Sequence, residues 1–238
     1  MVEIGNTAVK AAWSEESVLG KTFRYQGEKV MDFIISLCER QFPMVMTVVS
    51  VKNITSEEEK RLSAQCQYLL LLDPSHRDSL SSYGIPEYLP YDRAASLVAV
   101  RYLFKGKSCT VFDFGTTLTV DFTDSQGRYL GGNVSVGCRT RFKALNRYSK
   151  NLPLFDTPDD FPFPGNSEKS SVESGVISGI MFEIEGYVRS NPDNIIVFTG
   201  GDAIYFAKRM KNSIFVVCNL GLMGLAIVTD EYIKKNIL

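Results

Sequence analysis

Histidine is nearly absent: His76 is the only one in 238 residues. A metal centre built on several histidines is therefore excluded, and a Ser-His-Asp triad could use only this residue, which stands in the loop-like run Asp73-Pro74-Ser75-His76-Arg77. Cys38, Cys66, Cys109, Cys138 and Cys218 are odd in number, and no two form a C-x-x-C pair. Four of the five lie in or beside apolar runs, which reads as buried reduced thiols in a cytoplasmic protein, not as disulfides or zinc ligands. Neither sign of charge dominates. The formal net charge is −1 and no long basic run occurs, so nucleic acid is not expected as the main partner. No uncharged apolar run is long enough to span a bilayer and no leading basic-apolar segment resembles a signal peptide, so no membrane association is expected. Apolar content is ample for one large domain or two of ordinary size.

The chain is organised around Val111 to Gly132, VFDFGTTLTVDFTDSQGRYLGG. A short apolar run delivers Asp113, the chain turns through Gly115 and Thr116, and an alternating strand (Leu118, Val120, Phe122) carries Asp121 before the Ser125-Gln126-Gly127 turn. Glycine lets a backbone approach a ligand closely, neighbouring N–H groups cradle phosphate, and a carboxylate beside them holds the accompanying cation. Glu3-Ile4-Gly5-Asn6-Thr7-Ala8-Val9-Lys10 repeats the pattern about a hundred residues earlier. An ordinary glycine turn is the bland alternative for either hairpin alone.

Only Met1 and Val2 precede Glu3, so either a very brief edge strand suffices or a few strand residues belong ahead of Met1. Strands at Ala8–Trp13 and Thr22–Tyr25 follow, then an amphipathic helix with Val30, Phe33, Ile34 and Leu37. Val45–Val51 reads as a buried parallel strand, and Thr55 with Glu58 as a capping box. Tyr68–Leu72 is another strand, and Asp92-Arg93 opens an apolar helix after a Gly/Pro-rich passage. An acid there is first of all favoured by the helix dipole, and it also suits a base beside a cation in a substrate pocket. The pattern restarts after Lys105-Gly106-Lys107, predicting domains at 1–106 and 107–238. The second half reads as βββ-α-α-β-α-β-α, with a proline-rich loop at Asn151–Asn166, a long helix carrying Gly175 and Gly179 on one face as close-packing positions, and Gly200-Gly201-Asp202 at a strand end. The expected fold is α/β: two ribonuclease-H-like domains, each a mixed sheet flanked by helices, with nucleotide in the cleft between them.

Taken in order, these residues resemble the type III pantothenate kinase family of the actin, sugar-kinase and Hsp70 ATPase superfamily. The family's D-x-G-N-T-x-x-K is matched by Glu3 to Lys10, which implies ATP binding at Glu3, Ile4, Gly5, Asn6, Thr7, Ala8, Val9 and Lys10. Its Y-x-x-P-x-x-L-G-x-D-R is matched by Tyr83, Pro86, Leu89, Asp92 and Arg93, implying Asp92 as proton acceptor and Tyr83, Pro90, Tyr91, Asp92 and Arg93 around pantothenate. D-x-G-T implies a monovalent cation, potassium or ammonium, at Asp113 and an ATP contact at Thr116. Glu3 stands for aspartate, Pro90 for glycine and Val136 for proline, while the family's substrate threonine falls on Glu168, or on Ser167 with a one-residue insertion. The resemblance implies ATP-dependent phosphorylation of pantothenate's primary hydroxyl, Mg2+ arriving with ATP, and a homodimer. A non-catalytic nucleotide-binding regulator on the same fold, and an ATP or polyphosphate hydrolase, remain open alternatives.

Overall fold

The computed structural model describes residues 1–73 and 83–238, so His76 lies outside the described residues. The first elements are β1 (Val2–Ile4), β2 (Val9–Glu15), β3 (Val18–Tyr25), α1 (Val30–Cys38), β4 (Val45–Ser50), α2 (Ser56–Ser63), β5 (Tyr68–Leu72) and α3 (Tyr91–Leu103). There follow β6 (Cys109–Phe114), β7 (Thr117–Thr123), β8 (Tyr129–Val136), α4 (Cys138–Tyr148), α5 (Glu168–Ser190), β9 (Ile195–Gly200), α6 (Ala203–Ala207), β10 (Ile214–Val216) and α7 (Leu220–Asn236). They form two compact units, one comprising Met1–Lys105, Gly127–Tyr129 and Asn219–Leu238, the other Gly106–Gln126 and Leu130–Cys218. Chain order alone divides the protein at 106/107 and assigns the last helix to the second half. In the structure α7 packs in the first unit, because its apolar residues are buried against α3 and the first sheet. Among the described residues no helix is long and apolar enough to cross a membrane.

In the first unit the strand order is β3-β2-β1-β4-β5, with β1 antiparallel to β2 and parallel to β4. Alternation sorts the side chains between the two faces. Val2, Ile4, Val9, Met46 and Val48 join Ile34 of α1 and Leu62 of α2 in one core. Thr47, between Met46 and Val48, points the other way and shares a buried 2.6 Å hydrogen bond with Thr229 of α7. The Thr55 capping box is formed in both directions: Glu58 N–H donates to Thr55 Oγ1 at 3.2 Å, and Thr55 N–H to Glu58 Oε2 at 2.9 Å.

The β2–β3 hairpin is longer than its apolar pattern indicates. Its two-residue turn, Glu16-Ser17, has φ values of +47° and +66°, a geometry that usually signals itself through Asn or Gly. Neither is present. Ser17 Oγ instead donates to Asp230 Oδ2 of α7 at 3.0 Å, so a tertiary contact supports the turn.

The second unit has strand order β10-β9-β6-β7-β8, with β6 antiparallel to β7 and parallel to β9. Phe112, Phe114, Phe142, Phe198 and Phe206 are buried together with Ile177, Ile180 and Ile184 of α5. Gly175 and Gly179 are not close-packing positions. A methyl group on Gly175 would meet nothing within 4 Å, and one on Gly179 only the Arg141 guanidinium at 3.7 Å. The close helix contact lies instead between α3 and α7, where a methyl on Gly224 would fall 1.7 Å from the Ala95 carbonyl oxygen.

Candidate active site

In the first unit the β1–β2 hairpin pairs Glu3 with Lys10 across the strands, and Lys10 Nζ approaches Glu3 Oε1 at 3.3 Å. Gly5 N–H donates to Ala8 O at 3.0 Å, closing the turn and leaving Asn6 and Thr7 exposed at its tip. Ile4 and Val9 are buried in the core, so only their backbone can face a ligand. Glycine at 221 leaves room for the Glu3 carboxylate: a methyl there would sit 3.0 Å from Glu3 Oε2 and 3.6 Å from Ser96 Oγ. Ser96 in turn donates to the backbone carbonyl of Asp92 at 3.1 Å. A chain of close neighbours therefore links the Glu3 carboxylate to the first turns of α3.

Asp92 sits in the first turn of α3, and its Oδ1 accepts from Arg93 N–H at 2.9 Å. Pro90 is the N-cap, with φ −57° and ψ 144°, and its carbonyl accepts from Ala94 N–H at 2.9 Å. Proline is well suited to this place because the cap's own N–H is not used by the helix. Tyr91 opens the helix half-buried, and the Arg93 guanidinium lies 3.5 Å from the Tyr129 hydroxyl. Tyr83 donates to Glu231 of α7. Burial, then that hydrogen bond and the negative charge of Glu231, push the Tyr83 hydroxyl well above its usual range, so it stays a donor.

In the second unit Asp113 stands on β6 between Thr119 of β7 and Thr199 of β9 in register. The buried Thr119 hydroxyl has no hydrogen-bond partner among the described residues. A carboxylate beside an orphaned hydroxyl is an all-oxygen donor set that fits a hard cation. Gly200 makes room for Asp113: its φ is +92°, and a methyl there would lie 2.4 Å from Asp113 Oδ1. The Thr116 carbonyl accepts from Gly137 N–H at 3.1 Å and from Thr140 Oγ1 at 2.8 Å, which pins the hairpin tip to the start of α4. A methyl on Gly137 would meet Gly115 O at 2.1 Å, so glycine is required there, whereas Val136 ends β8 with its side chain exposed. Ser167 is the N-cap of α5 and its hydroxyl is engaged with Ser170, while Glu168, the first helical residue, is exposed. Sequence inspection does not single out Ser96, Gly221, Glu231, Thr119 or Thr140, because none is a motif residue of its own and most act on residues distant in the chain.

A family model for type III pantothenate kinase matches residues 1–190. A curated type III pantothenate kinase from Phocaeicola vulgatus is 33% identical over 236 residues, covering 94% of this chain and 95% of the relative. Among solved structures, a conserved Baf family protein from Campylobacter jejuni superposes with a TM-score of 0.61 at 20% identity, covering 99% of this chain and 97% of that one. The activator of the 2-hydroxyisocaproyl-CoA dehydratase from Clostridium difficile, with ADPNP bound, gives 0.57 at 13% identity, covering 98% and 94%. At such identities the structural likenesses establish the fold, two mixed sheets flanked by helices. The sequence likeness goes further: the chain belongs to the type III pantothenate kinase family.

Proposed function

We propose that the protein transfers the γ-phosphoryl group of ATP to the primary hydroxyl of pantothenate, giving 4′-phosphopantothenate and ADP in the first step of coenzyme A biosynthesis. The observation that carries this reading is family membership over nearly the whole chain, in a protein that keeps Asp92 and Arg93 in the first turn of α3. The bond from the pantothenate oxygen to the γ-phosphorus forms as the bond to the β-phosphate oxygen breaks, and the hydroxyl proton passes to Asp92. Asp92 Oδ1 is held by Arg93 N–H, and Oδ2 has no hydrogen bond among the described residues, so it can take that proton. Arg93, Tyr83, Pro90, Tyr91 and Glu168 are assigned to the pantothenate site. Phosphate contacts fall to the Gly5-Asn6-Thr7 turn, Lys10 and Thr116, and positioning with charge neutralisation supplies most of the rate. Mg2+ accompanies ATP and offsets phosphate charge. Asp113, with the Thr119 hydroxyl beside it, would hold potassium or ammonium. A homodimer is part of the same reading.

The test is ADP formation with Mg2+ and ATP, with and without pantothenate, in potassium against sodium. Turnover that needs both pantothenate and potassium supports the proposal. Phosphate release independent of pantothenate would instead identify a hydrolase, and ATP binding without either reaction a regulator, for which a positioned proton acceptor has no use.

Glu231→Ala is expected to raise the KM for pantothenate about five- to tenfold with kcat little changed. It removes one exposed hydrogen bond that orients Tyr83, and such a bond contributes about 1 kcal/mol. An unchanged KM would remove Tyr83 from the substrate site.

A further inference from the structure

Glu3 stands in a confined niche. Val2 and Ile4 on either side of it face the core shared with α1 and α2, so alternation along β1 turns Glu3 to the opposite face of the sheet, the face on which Thr47 meets α7. There its two carboxylate oxygens have different neighbours. Oε1 accepts from Lys10 Nζ at 3.3 Å. Oε2 lies over Gly221, the second residue of α7, where a methyl group would stand 3.0 Å from Oε2 and 3.7 Å from Cδ. Ser96 Oγ, 3.6 Å from the same methyl position, is held by its bond to Asp92 O and gives the niche a fixed wall. No backbone atom is among these nearest neighbours, so the Glu3 side chain is what limits residue size at 221.

The reach of glutamate matters here. An aspartate at position 3 would hold its carboxylate about 1.5 Å nearer β1 and leave the niche empty. The longer acid is drawn in by the start of α7, whose N-cap Asn219 is left-handed and forms no side-chain cap, and whose first turn contains no acid. A carboxylate supplied from β1 meets the positive end of the helix in their stead. Lys10, on the strand opposite, has three N–H donors; Glu3 takes one, and the others can serve phosphate oxygens at the Gly5-Asn6-Thr7 turn.

We propose that Gly221 is a positioning residue for the phosphate site: by leaving a niche at the start of α7, it lets the glutamate at position 3 seat its carboxylate where it holds Lys10 for the phosphates. Residues 3 and 221 are then a matched pair, a long acid facing a residue with no side chain. The inference rests on the assignment of the Glu3–Lys10 hairpin to ATP, and adds to that site a residue from the last helix of the chain.

The test uses the full chain as wild type, Gly221→Ala, Glu3→Asp and the double variant, each titrated calorimetrically with the β,γ-imido analogue of ATP and Mg2+ in the absence of pantothenate. Gly221→Ala is expected to weaken binding about fivefold, because the displaced carboxylate no longer orients Lys10. Glu3→Asp should cost no more than about twofold, and in its background Gly221→Ala should cost nothing further, since the shorter acid has left the niche. Melting curves of the four proteins separate positioning from packing. Loss and rescue confined to the melting temperature would overturn the positioning role. Affinity of Gly221→Ala within about twofold of wild type, or the same loss in both backgrounds, would overturn the pairing. Absence of analogue binding by the wild type would overturn the phosphate assignment and the pairing with it. Rescue in a protein that shows no pantothenate-dependent turnover would support the pairing while removing the kinase reading.

Discussion

Asp92→Asn is expected to lower kcat for pantothenate-dependent ADP formation by about 10²- to 10⁴-fold, the range that a positioned proton acceptor contributes. Asparagine has nearly the same shape, and its side-chain oxygen can still accept from Arg93 N–H as Asp92 Oδ1 does. The start of α3, capped through Pro90, keeps its geometry. What disappears is the ability to accept the substrate hydroxyl's proton. The helix loses an acid from its first turn, which costs only about 0.3–1 kcal/mol, so thermal stability should change little. Steady-state ADP formation measured beside ATP affinity separates the two effects. A variant that keeps more than about a tenth of wild-type kcat would show that another group accepts the proton.

Gly224→Ala should be the most damaging single methyl in the chain's first unit. The added carbon would lie 1.7 Å from the Ala95 oxygen and 2.5 Å from its carbonyl carbon, both backbone atoms of α3. A side chain could swing aside; a buried helix backbone can yield only if α3 and α7 separate. Ala95 and Leu225 are fully buried, so separation would open the seam along its length. Overpacking of this kind costs about 3 kcal/mol or more, equivalent to roughly 6–12 °C in Tm for a protein of this size. Gly186→Ala in α5 provides the opposite sign. Gly186 is exposed, a methyl there meets nothing within 4 Å, and relief of backbone entropy should raise stability by about 0.5–1 kcal/mol. Thermal melts of both variants check the pair, and a Gly224→Ala melt close to wild type would show that the helices are not in close contact.

Much of this architecture is legible in local pattern. Val45 to Ser50 reads as a buried strand because β-branched residues crowd it, and the Thr55–Glu58 box marks a helix start by chemistry confined to four residues. The motif residues Glu3, Lys10, Asp92, Arg93 and Asp113 are likewise visible as carboxylates and cations beside glycine turns or a helix start. Long-range geometry hides the rest. The Glu16-Ser17 turn carries no glycine or asparagine because Asp230, more than two hundred residues away, supports it. Gly175 and Gly179 show the spacing of a packing face yet meet no backbone of a neighbouring helix, whereas Gly224 lies against one. Glu231 is a helix-surface acid until Tyr83 is placed opposite it.

The position of α7 also bears on how the protein is made. Every residue of the second unit lies between 106 and 218 and leaves the ribosome before α7 does. The first unit, whose strands are synthesised earliest, must wait for the last twenty residues to cover one face of its sheet, to receive the Thr47 hydroxyl and to hold Tyr83. On a growing chain the later-coded unit can therefore be complete while the earlier-coded one still exposes to chaperones the apolar surface that α7 covers. A stop codon placed before Leu220 would leave that surface uncovered as the permanent state.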